Sequence, residues 1–122
     1  MKEIWMPHAA HFICGDRCSF KLATYSNGYI VSTVGEYRAS YISPDYETIG
    51  SGRLYETMVF KAKKSKENLC CPYVIESGMS IDFAGYNTPE DATKGHHALL
   101  KKWQRKKRGR CEGTTANDKG AC

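Results

Sequence analysis

Residues 18–34 read CSFKLATYSNGYIVSTV, and this stretch decides the fold. Cys18 to Tyr25 alternates, with Phe20 and Leu22 on one parity and Lys21 on the other, as a half-buried strand does. Asn27-Gly28 follows. A two-residue type I′ turn needs positive φ at both central positions, so this dipeptide marks a tight hairpin. Tyr29 to Val34 returns as a β-branched strand, and Gly35 closes it.

Working outward, residues 36–53 read as loop, with a turn at Ser43-Pro44-Asp45 and a flexible Gly50-Ser51-Gly52. Tyr55 to Ala62 is a third strand, and Lys63 to Asn68 a polar connection. After Cys70-Cys71-Pro72, Tyr73 to Glu76 suits a short edge element, since Pro72 donates nothing to a ladder. Met79 to Tyr86 is a fourth strand, and the residues around His8 form a further strand or an irregular segment. One helix is well signalled. Thr88 is its N-cap, Pro89 its first residue, and Asp91 completes a capping box. Ala92, His96, Leu99 and Trp103 share one face. The helix is expected to fray near Gly109. The expected fold is α+β: an antiparallel sheet of four to five strands with one C-terminal helix packed on one face. A single domain spans 1–108, and 109–122 is a disordered polar tail.

The net charge of +5 is unevenly placed. Residues 1–100 hold ten Lys/Arg against eleven Asp/Glu. Lys101, Lys102, Arg105, Lys106, Lys107, Arg108 and Arg110 then add +7 within ten residues. A near-neutral body with one basic segment points to a local polyanion contact, here nucleic acid; the plain alternative is a solvated end. No apolar run approaches the roughly 20 residues that cross a bilayer, so no membrane role is expected. No signal peptide is read near the start, which favours reduced cysteines over disulfides among the six.

His8, His11, Cys14 and Cys18 fall in an H-x2-H-x2-C-x3-C spacing. Imidazole nitrogen and thiolate sulfur are zinc ligands, and four complete a tetrahedral site. The set reads as a structural zinc site, aided by Cys70 and Cys71, as a three-ligand catalytic site, or as ordinary packing. On one regular strand His8 and His11 would face opposite ways. His96, on the apolar helix face beside Gly95, is either a satisfied core residue or part of a polar cluster with Glu36, Glu56 and Arg53. Gly50-Ser51-Gly52-Arg53 is a weak anion-loop signal, and the eight tyrosines pack sheets as readily as they stack on bases.

Several segments together resemble a family of small, uncharacterised proteins of tailed bacteriophages and prophages. They are His8-Ala9-Ala10-His11-Phe12-Ile13, Cys18-x-Phe20-x-Leu22-Ala23-Thr24 and Val31-Ser32-Thr33-Val34-Gly35-Glu36-Tyr37. Gly52-Arg53-x-Tyr55-Glu56-Thr57-Met58-Val59-Phe60, Gly85-Tyr86-Asn87 and Ala92-Thr93-x-Gly95-His96 complete the set. The likeness covers about residues 7–103; relatives carry a longer insertion between Tyr37 and Gly50, and the basic tail is outside the pattern. The resemblance implies an accessory protein of the bacterial host cytoplasm and names no reaction. The expectation is a binding protein for a host protein or protein–nucleic acid complex, such as an inhibitor of a bacterial defence. A small histidine- or zinc-dependent hydrolase of nucleotides or nucleic acid is one alternative. A protein that sequesters a nucleotide messenger is another. Self-association is compatible with so modest a core.

Overall fold

The computed structural model describes residues 3–5, 17–49, 52–65 and 72–106. In chain order they form β1 (Ile4–Trp5), β2 (Cys18–Ser26), β3 (Tyr29–Tyr37), β4 (Tyr55–Lys64), β5 (Tyr73–Ile75), β6 (Asp82–Tyr86) and α1 (Pro89–Gln104). All pairings are antiparallel. The sheet runs β1-β2-β3-β4-β5, with β6 also on β4, and it curls into a half-barrel with α1 on one face.

The hairpin closes at the Ser26–Tyr29 pair, with Asn27 and Gly28 at φ 55° and 91°. Both central residues thus have the positive φ that a type I′ turn requires. β3 is the central strand, paired along its length to β2 and β4, and buried from Tyr29 to Gly35. One face of the ladder packs on α1: Tyr29, Val31 and Val59 meet Leu100, with Leu99 and Trp103 at the margin. The other face carries Ala23, Ile30 and Ala62, flanked by Ile4, Tyr25, Tyr73 and Ile75. There the Tyr25 and Tyr73 rings stack with centroids 3.7 Å apart.

The expected edge element and fourth strand are two parts of one interrupted edge. β5 pairs with Ala62–Lys64 and β6 with Tyr55–Val59. Between Val59 and Ala62 lie two residues, and between their partners Asp82 and Ile75 lie six, so this edge carries a four-residue insertion.

α1 starts as its sequence predicts, with the Thr88 hydroxyl accepting from the Asp91 N–H at 3.1 Å. It ends at Gln104, five residues short of Gly109. Two causes meet there. Lys101, Lys102, Arg105 and Lys106 crowd like charges at i,i+4 spacing, which opposes further turns. The Asn27 side chain also donates to the carbonyls of Gln104 (3.2 Å) and Lys106 (2.6 Å), which satisfies the helix end from the hairpin turn.

Gly35 is required by a close approach. A Cβ there would enter the Tyr55 ring, which Phe20 meets edge-on at 5.1 Å. Tyr55 is buried and its hydroxyl donates to Glu36 at 2.7 Å, so the ring has little freedom to withdraw. Replacing Gly35 with Ala should therefore cost about 1–3 kcal/mol in urea denaturation, as overpacking does. An alanine variant as stable as wild type would mean that the Tyr55 ring yields without cost.

Candidate functional site

The buried polar centre of the molecule is His96. Ala92, Gly95, His96 and Leu100 form the buried face of α1, spaced at three and four residues as a helix requires. Gly95 brings the helix close because a Cβ there would occupy the Tyr86 ring end. His96 is 1% exposed and meets hydroxyls from two strands. Its Nδ1 lies 2.7 Å from Thr33 Oγ1 and its Nε2 lies 3.0 Å from Thr24 Oγ1. Thr33 Oγ1 is in turn 2.6 Å from Thr57 Oγ1. A neutral imidazole has one donor and one acceptor, and a hydroxyl serves as either. Two proton arrangements therefore satisfy the chain from Thr24 through His96 and Thr33 to Thr57.

Burial pushes the His96 pKa down to about 4, with a smaller push from His97 and a slight opposing pull from Glu3. The neutral ring links α1 to β2, β3 and β4 together. Both nitrogens are engaged and the ring is sealed from solvent, so in this arrangement it meets no substrate.

The residues grouped with His96 in the sequence reading are not assembled around it. Glu36 accepts the Tyr55 hydroxyl. Burial and this contact hold the Tyr55 hydroxyl well above the usual phenol range. Glu56 is buried on β4, and its neighbour Thr57 points to His96, so strand alternation sets Glu56 on the opposite face. Burial raises its carboxyl pKa. Arg53 is exposed and lays its stem against Gly85.

Of the zinc set, His8, His11 and Cys14 lie outside the described residues, as do Gly50, Ser51, Cys70, Cys71 and the tail from 109 onward. Cys18 is buried at the start of β2 and is disulfide-bonded, which corrects the expectation of reduced thiols at this position. A disulfide sulfur carries no thiolate charge, so Cys18 is withdrawn from the metal set in this form. Among the described residues no group of three His, Cys, Asp or Glu is placed to hold a metal ion.

The basic segment is partly described. Lys101, Lys102, Arg105 and Lys106 are exposed at the end of α1; Lys107, Arg108 and Arg110 lie outside the described residues. Asp82 anchors this end. It accepts from Lys102 Nζ at 2.8 Å and from Trp103 Nε1 at 2.9 Å. Burial alone would raise the Asp82 pKa, but these two bonds and the Phe83 N–H outweigh it and hold the carboxyl lowered. Lys102 and Lys106 also lie 5.7 and 5.1 Å from the Trp103 ring centroid.

Sequence reasoning missed the threonines and Asp82. A signal exists for the former: Thr24 shares parity with Leu22, and Thr33 and Thr57 with core-facing Val31 and Val59. No protein-family model, curated protein or solved structure matches the chain. Among the described residues no helix is long and apolar enough to cross a membrane.

The lowered His96 pKa fixes a pH dependence. In the unfolded chain His takes a proton near pH ~6.5, whereas the folded ring resists until about 4. The contribution is complete above ~6.5 and is lost as pH falls toward about 4, by up to ~1.4 kcal/mol per unit. Urea titrations at pH 7, 5.5 and 4.5 should show this slope in wild type and a shallower one in folded His96→Gln. Parallel profiles would remove His96 as its source.

Proposed function

We propose that this chain is a phage-encoded accessory protein that acts in the bacterial cytoplasm by binding a host macromolecule. The partner is a polyanionic surface, such as a defence or nucleic-acid-handling complex. The observation that carries this reading is the mounting of the basic segment. Lys101 stands on the last turn of α1, exposed Arg105 and Lys106 directly follow it, and this end is tied to the body by Trp103, Asp82 and Asn27. Cations held on a fixed scaffold lose less side-chain and backbone freedom on binding than cations on a loose tail. The remainder of the chain is close to neutral, so attraction to a polyanion is directed to one end. The helix dipole favours cations at this end as well. Zinc enters this reading only as a structural ion for His8, His11 and Cys14.

Removing residues from 101 onward is a poor test, because Trp103 packs against the core and Gln104 bonds Ser26 and Glu3. Neutralisation is cleaner. The triple variant Lys101→Gln/Arg105→Gln/Lys106→Gln should keep its fold and bind a duplex oligonucleotide more weakly. Its plot of log affinity against log salt, between about 50 and 200 mM, should be less steep by about two to three, since each released phosphate contact contributes about 0.9. Fluorescence anisotropy measures both. Equal affinity and equal slope in the two proteins would refute a role for this end of α1.

A further inference from the structure

A second cationic feature lies at the far end of the β2–β3 ladder. Cys18 and Tyr37 are register partners, and one step beyond them the Arg38 N–H donates to the Arg17 carbonyl at 3.1 Å. Arg17 and Arg38 are therefore cross-strand neighbours, with Cβ atoms about 5 Å apart. Like charges placed directly opposite destabilise a ladder. Each guanidinium is supported by an aromatic ring: Arg17 lies 5.6 Å from the Tyr37 centroid, and Arg38 5.0 Å from that of Tyr46. Among the described residues neither forms an ion pair with a carboxylate. Glu36, two residues before Arg38, accepts from Tyr55 instead.

Among the described residues their hydrogen-bonding capacity is also largely unused. A guanidinium carries five N–H donors. Arg17 directs one at the Tyr37 hydroxyl, at a long 3.4 Å. The Nε atoms of Arg17 and Arg38 are both buried without a hydrogen-bond partner. A cavity of about 130 Å³ opens beside them, lined by Arg17, Ser19, Arg38 and Tyr41. It is smaller than the roughly 300–1,000 Å³ of a pocket that encloses a whole drug-sized ligand. Its size suits one compact group.

We propose that this cavity binds the terminal phosphate of a small phosphomonoester. Two guanidiniums supply two positive charges and planar donor forks, which match a dianion with three oxygens better than a flat carboxylate with two. Ser19 adds a hydroxyl. Tyr41, 69% exposed at the mouth, offers a ring face to whatever the phosphate is attached to. Binding relieves the repulsion between the paired arginines and gives their donors acceptors. The site is separate from the basic end of α1 and does not depend on the function proposed for it.

Inorganic phosphate, ribose 5-phosphate and adenosine 5′-monophosphate share the required group, and titration calorimetry on the full chain at low salt separates them. Wild type should bind at one site with an affinity tighter than about 1 mM. Arg17→Gln and Arg38→Gln should each weaken binding by at least about tenfold, as loss of a charged hydrogen bond does. Arg38→Lys keeps the charge without the fork and should weaken it as well, which covers the case of a glutamine variant that folds poorly. Phosphate should raise the Tm of wild type and leave that of Arg38→Gln unchanged. A preference for adenosine monophosphate over ribose phosphate that disappears in Tyr41→Ala assigns a nucleotide; binding of inorganic phosphate with neither ester binding would overturn the phosphomonoester. The proposal fails if wild type shows no saturable binding. It fails equally if binding survives Arg17→Gln/Arg38→Gln and is lost in Lys101→Gln/Arg105→Gln/Lys106→Gln.

Discussion

One buried imidazole joins the helix to three strands, and its two nitrogens must both be satisfied at once. Thr24 comes from β2 and Thr33 from β3, and Thr33 is held by Thr57 of β4. An unsatisfied polar atom at this depth would cost about 1–3 kcal/mol. The register of β2 against β3 and of β3 against β4 is therefore tied to the position of α1 along its own axis. A one-residue slip of either strand would turn its threonine to the other face and leave a ring nitrogen without a partner. The apolar contacts of Val31, Val59 and Leu100 supply the attraction between the layers, but they tolerate sliding; the hydroxyls do not.

Around that centre, charge is sorted by position. The His96 environment excludes charge, and the acidic groups nearest the helix are used to fix its ends. Glu90 and Asp91 occupy the first turn, while Asp82 receives the Trp103 indole and the Lys102 ammonium at the last. Two groups of cations are clustered, one at the end of α1 and one at the cross-strand pair Arg17 and Arg38. The two groups differ in construction. The helix cations are spread on an exposed convex end, suited to an extended polyanion, whereas the two arginines converge beside a small cavity.

Much of the framework was legible because it is specified locally. Asn27-Gly28 alone nearly dictates the hairpin, and the Thr88-Pro89 pair dictates where α1 begins. What escaped reading depends on contacts distant in sequence. The helix stops at Gln104 because Asn27, far upstream, takes its carbonyls. The His96 partners are threonines from two other strands, and of the carboxylates that seemed natural companions Glu36 accepts from Tyr55 while Glu56 is set on the opposite face of β4. The single anticipated strand from Met79 to Tyr86 is shortened at its start, since residues 76–81 hold the insertion that divides β5 from β6. The proximity of Arg17 and Arg38 follows from the hairpin register carried to its far end, and simple counting from Asn27-Gly28 would have found it.

The divided edge has a consequence for behaviour at high concentration. An open strand edge presents a row of unpaired N–H and C=O groups on which another molecule can add a strand. Here, among the described residues, the outer side of β4 is covered by three residues of β5 and five of β6, separated by the four-residue insertion, and on the opposite side β1 pairs with Thr24 and Tyr25 of β2. Phe83 is 63% exposed and Met79 75%, so this margin is apolar enough to be adhesive. Its backbone, broken into short and misaligned lengths, offers no continuous template for fibril growth. The same four extra residues that interrupt the ladder thus limit how far an added strand can pair along this margin.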